Sequence, residues 1–75
     1  MMMNWSELTQ NWAQAFPRVK SRFPQLDEAD APFLKLDRTR FEAYLAEKHQ
    51  LTLTEAREEF EDFLFVESLS REIAD

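Results

Sequence analysis

Neither cysteine nor glycine occurs in these 75 residues. The lack of cysteine excludes a disulfide, a thiolate zinc site and a cysteine nucleophile. The lack of glycine removes the residue that supplies positive φ and close backbone approach, so a P-loop or dinucleotide fingerprint is excluded. Tight β-hairpins are disfavoured for the same reason. No stretch alternates with period two for long, and the fold class expected is all-α. Also missing is a basic start followed by a long apolar run, so the expectation is a chain with neither signal peptide nor membrane span. A reducing cytoplasm suits a chain without cysteine, and cytoplasmic localisation is the default reading.

What the chain does contain is aromatic and acidic. Seventy-five residues make one small domain, 1–75, near the size at which folding alone becomes marginal. Seven Phe, two Trp and one Tyr supply the buried area such a domain needs. Residues 1–50 are electrically balanced, and the whole net charge of −6 falls in residues 51–75. A uniformly acidic C-terminal segment repels phosphate backbones, which disfavours nucleic acid as a partner of that part.

Helical periodicity organises the sequence. At 100° per residue, Trp5, Leu8, Trp12, Phe16, Val19 and Phe23 fall within an arc of about 80°. Asn4 or Ser6 can cap this segment. Pro17 predicts a break near Phe16 and a second short turn on the same face, and Pro24 ends the segment. Farther on, Asp27, Asp30 and Asp37 are candidate caps, with Pro32 suited to a first turn. Phe33, Leu34, Phe41, Tyr44 and Leu45 share an arc of about 120° that excludes Leu36. The mismatch predicts a short helix, then a longer one from about Asp37 to Lys48. Thr52 followed by Glu55 is a capping box, with Leu51 placed to staple on Ala56. The last helix is therefore expected to begin at Leu53 and to turn Leu53, Ala56, Phe60, Phe63 and Leu64 toward the core.

Taken in order, "NW..L...W......V...F..L", a run of acids, "DR..F...L" and "LTLTEA...F..F" resemble the CsbD-like family of small bacterial stress-response proteins. The resemblance runs from about Asn4 to Phe63. It is carried by Leu8, Trp12, Val19, Phe23, Leu26, Asp30, Arg38, Phe41 and Leu45, then Leu51, Thr52, Glu55, Ala56, Phe60 and Phe63. It implies a four-helix domain of two α-hairpins packed crosswise, like a sterile-alpha-motif domain, with a long last helix. It also implies a role in bacterial stress response without an assigned molecular activity. Departures are the absence of glycine, only three Lys, Pro17 and Pro24 where glycine is common, and Gln50 where a glycine usually precedes the capping box. Without that glycine the helix ending near His49 is expected to fray or extend. Residues 64–75 are a helical extension beyond the family pattern.

His49 has no nucleophile or orienting partner by pattern, and a helix-end role beside exposed carbonyls explains it. The set Glu55, Glu58, Glu59, Glu61 and Asp62 lacks the turning loop of a Ca²⁺ site and the Glu-x-x-His pairs of a di-iron bundle, and reads as a solvated helix face. Arg18, Lys20 and Arg22 form a basic edge. Ion pairing with the acidic helix is the favoured reading, and a nucleic-acid site is the alternative. Arg38 suits an ion pair or a cap contact. No catalytic, cofactor-binding or metal-ligating residue is assigned, and the chain is read as non-enzymatic.

Phe65, Val66, Leu69 and Ile73 are different. They lie at about 140–240° from Phe60, opposite the core stripe, in the extension. Such a stripe seldom stays wet without reason. It either covers its own fold after a bend or meets another helix, whether a second copy or a protein partner; a membrane-surface role is the weakest reading, because the flanks are acidic. These four residues are the candidate interface.

Overall fold

The structure, a computed structural model, describes residues 3–74, and their side chains as far as Leu69. The described residues form no strand and five α-helices: α1 (Trp5–Gln10), α2 (Trp12–Arg22), α3 (Ala31–Leu34), α4 (Arg38–His49) and α5 (Leu53–Ala74), with a 3₁₀ turn at Glu28–Asp30. The fold is all-α, but with five helices where four were expected.

Local chemistry explains most of the boundaries. The Asn4 side chain accepts the Glu7 N–H at 2.8 Å and starts α1. Asp27 does the same for the 3₁₀ turn and Asp37 for α4, each accepting the N–H two residues on at 2.9 Å. The capping box is complete: Glu55 accepts the Thr52 N–H at 2.9 Å, and Thr52 Oγ1 accepts the Glu55 N–H at 3.1 Å. Asp30 departs from its expected role. It heads α3 without a cap bond, and its carboxylate instead accepts the Tyr44 hydroxyl at 2.6 Å.

The extra helix comes from Asn11, not from Pro17. Asn11 leaves helical geometry at φ −121°, ψ 45°, and its carbonyl accepts the N–H groups of Gln14 and Ala15. Asparagine has a low helix propensity, so the break falls on a residue that loses little by leaving the ladder, although its side chain makes no cap bond. Pro17 is then tolerated inside α2, because the carbonyl that it leaves unpaired belongs to exposed Ala13, which water can reach.

The periodicity also misplaces two side chains. Phe33 is 70% exposed and Leu53 45% exposed, although both lie on core arcs. α3 ends after one turn, so the 100° phase is not carried from Phe33 to Phe41. Leu53 opens α5 while Leu51, just before it, packs on the core.

α4 also ends more sharply than expected. It neither frays nor extends: Gln50 adopts the left-handed conformation (φ 55°, ψ 43°), and Leu51 N–H returns to the Ala46 carbonyl at 2.8 Å. This is a Schellman closure made without glycine. Gln50→Gly is therefore expected to stabilise the domain by about 0.5–1 kcal/mol. Urea unfolding followed by tryptophan fluorescence would register this as a higher midpoint, and an unchanged or lower midpoint would contradict the strained cap.

α4 and α5 form an antiparallel hairpin, with Glu42 beside Arg57 and Arg38 beside Glu61. α2 runs beside α5 in the opposite direction, with Arg18 at Glu67 and Arg22 at Glu59. The core between them is aromatic. Phe41 and Phe60 are fully buried with ring centroids 4.8 Å apart, and Trp5 lies within 6 Å of both. Trp12 Nε1–H donates to the Ala31 carbonyl at 2.7 Å and ties α2 to the start of α3.

Candidate functional site

The two sides of α5 have different surroundings. Ala56, Phe60, Phe63 and Leu64 are buried on the inner side, as the arc predicts. The inner side continues past the limit of the family pattern, since Ser68 is also buried. Its hydroxyl donates to the Leu64 carbonyl and accepts the Met3 N–H, so the segment before α1 is fastened to the extension.

Phe65, Val66 and Leu69 lie on the outer side, 54%, 57% and 42% exposed. α5 is continuous from Leu53 to Ala74, and these three side chains do not return to the core. A bend that folds the stripe onto its own domain is thus not what is found; the extension packs through its other face, Leu64 and Ser68. Ile73, the fourth candidate, lies outside the residues whose side chains are described.

Between α2 and α5 a groove of about 420 Å³ opens next to this stripe, lined by Phe63, Val66, Asp62, Ser21, Arg18 and Arg22 among others. Val66 and Asp62 belong to the groove and to the outer face alike. Sequence reasoning missed the groove, because Phe63 counts simply as core by angle and the path of α2 is a tertiary property. A second concavity of about 500 Å³, where α1 and α2 meet α5, is more polar and is lined by Glu7, Gln14, Arg18 and Glu67 with Met3 and Leu8.

The basic edge is paired throughout. Arg18 Nε donates to both carboxylate oxygens of Glu67 at 3.0 and 3.1 Å, Arg22 bonds Glu59, and Lys20 lies 3.7 Å from Glu28. A phosphate backbone would have to displace those carboxylates. The acidic set divides accordingly. Glu55 serves its cap, and the Thr52 backbone and side chain hold its carboxyl below the usual range. Glu59 and Glu61 face Arg22 and Arg38, whereas Glu58 and Asp62 have no ion-pair partner among the described residues.

Arg38 is an ion-pair residue. Its Nε lies 3.1 Å from Glu42, whose side chain is only 6% exposed and also meets Arg57 Nε at 3.5 Å. Sequence reasoning passed over Glu42, although its i,i+4 spacing from Arg38 was a usable signal. His49 packs at the end of α4 with its Nδ1 3.2 Å from the Leu45 carbonyl, and its Nε2 accepts the Gln25 N–H at 3.3 Å. Through that pair of contacts His49 joins the end of α4 to the segment that follows α2.

Tyr44 has the largest electrostatic perturbation. Burial, followed by its hydrogen bond to Asp30, pushes the phenol up to about 12. Because the folded value exceeds the ordinary one of about 10, the stability linked to Tyr44 is fully present below pH ~10 and is lost as pH rises toward 12. Tyr44 is the only tyrosine, so phenolate absorbance reports it alone. The native titration should have its midpoint near 12, and a midpoint near 10 would contradict the half-buried hydrogen bond to Asp30.

Among the described residues no helix is long and apolar enough to cross a membrane, and no three His, Cys, Asp or Glu side chains converge as a metal set would. Comparison of the chain with protein-family models, curated proteins and solved structures finds no match.

Proposed function

We propose that this is a non-enzymatic, cytoplasmic protein of the CsbD-like type that serves bacterial stress response through protein–protein contacts made by the outer side of α5. One observation carries the reading: Phe65, Val66 and Leu69 stand half-exposed on a helix whose opposite side is packed. Large apolar side chains grouped on an otherwise polar surface mark interaction sites. The sequence resemblance supports the stress role. Its Leu8, Val19, Phe23, Phe41 and Phe60 are core residues here, and its Thr52 and Glu55 form the cap.

A strain lacking the protein should survive heat, salt or oxidant stress less well than its parent. The wild-type gene should restore survival and a Phe65→Glu/Leu69→Glu variant should not. Full rescue by the variant would move the function away from α5, and a deletion without effect under every stress would remove the stress role. Sedimentation of both proteins asks separately whether a second copy is the partner. A wild-type dimer abolished in the variant would assign it so.

A further inference from the structure

Starting from the reading of α5 as a contact surface, we infer that its outer side, together with the groove toward α2, docks a basic amphipathic helix of a partner protein. The groove of about 420 Å³ has an apolar floor of Phe63 and Val66, and the apolar surface continues around α5 through Leu69 and Phe65. A helix laid along α5 from Glu58 to Leu69 follows about 16 Å of its axis. A bulky apolar side chain of that helix enters the groove, and its neighbours at helical spacing cover Phe65 and Leu69.

Charge decides the chemistry of the occupant. The cations facing the groove, Arg18 and Arg22, are already engaged by Glu67 and Glu59. Glu58 and Asp62, on the same side of α5 as the apolar stripe, have no cation among the described residues. The unanswered charge of this surface is negative, so Lys or Arg flanking the apolar face of a partner helix pairs with it. A second copy fits less well. It presents the same acidic residues, and its α5 belongs to the last third of the sequence, which carries the whole net charge of −6.

The test uses the full chain and a labelled 18-residue peptide of Leu and Lys, with Leu at i, i+3, i+4 and i+7 spacing, followed by fluorescence anisotropy. Phe65→Ser/Leu69→Ser and Glu58→Gln/Asp62→Asn alter exposed positions only, and circular dichroism should show both folded. The patterned peptide is expected to bind wild type at micromolar concentration and each variant at least ten-fold more weakly. A scrambled peptide of the same composition should also bind at least ten-fold more weakly, and a Leu/Glu peptide should not bind. Equal binding of patterned and scrambled peptides, or wild-type affinity in either variant, would overturn the proposal. So would self-association abolished by Lys35→Glu/Arg40→Glu, because a second copy would then occupy the surface through the exposed bases that flank Arg38, Lys35 and Arg40. If the peptide fails while Phe65→Glu/Leu69→Glu still abolishes stress survival, only the basic helix is lost. If both fail, the contact reading falls with it.

Discussion

Phe60→Ala is expected to remove most of the stability of the domain. The ring is fully buried and has Phe41 at 4.8 Å, Trp5 at 5.8 Å and Phe63 at 6.0 Å, with the Arg38 guanidinium 5.4 Å from its centroid. It is where α1, α4 and α5 meet, so no single neighbour can move in to fill the space. Truncating a buried Phe to Ala typically costs about 3–5 kcal/mol, and a site held by three helices belongs at the upper end. A 75-residue domain has about 4–11 kcal/mol in all. The urea midpoint should fall by half or more, with tryptophan fluorescence and far-UV circular dichroism changing together. Phe65→Ala and Phe33→Ala, at half-exposed and exposed positions, should stay within about 0.5 kcal/mol of wild type. If Phe60→Ala were as mild as those two, the core would not be centred on the Phe60 ring.

Glu42→Ala is the second large effect, and the choice of replacement separates its causes. The carboxylate stands between Arg38 and Arg57, and Arg38 reaches on to Glu61 at 3.8 Å. Removing one member of a fully buried pair costs about 3–5 kcal/mol, because a charge is left without water or partner. Here the guanidiniums are 33% and 52% exposed and can turn partly to solvent. The expected loss is therefore about 2 kcal/mol for Glu42→Ala, by discounting that range for solvent access. Glu42→Met removes the same charge but keeps the length of the side chain, so its loss should not exceed that of Glu42→Ala, and any difference between the two measures packing. Equal losses for Ala and Met would mean that the charge network, and not packing, dominates. A double-mutant cycle of Arg38→Met with Glu42→Met would then give their coupling directly.

How far the sequence foretold this architecture depends on whether the cause was local. The Asn4, Asp27 and Asp37 caps and the Thr52–Glu55 box depend on residues two or three positions apart, and all formed as expected. The 100° arc of Trp5 to Phe23 also predicted the right inner face, even across the break at Asn11, because one non-helical residue shifted its phase little. What failed needed tertiary knowledge. Whether Pro17 breaks a helix depends on whether the carbonyl of Ala13 can reach water. Phe33 left the core because α3 stops after one turn. Glu42 and Ser68 are polar, and only the approach of α5 and of the N-terminal segment buries them. For the candidate site, the angular division between Phe63/Leu64 and Phe65/Val66 was legible and matches the observed burial. The groove beside it was not, since its second wall comes from α2.

The bond from Met3 to Ser68 has a consequence for how the protein comes into being. It joins positions 65 residues apart, so the chain closes on itself only when almost all of the described sequence is present. A nascent chain leaving the ribosome can form α1 to α4 early, but their shared core lacks Phe60, Phe63 and Leu64 until α5 emerges. Closure of the core, and the setting of Phe65, Val66 and Leu69 on it, are therefore completed late in synthesis. The outer side of α5 thus takes its place on the folded domain only once synthesis has passed Leu69.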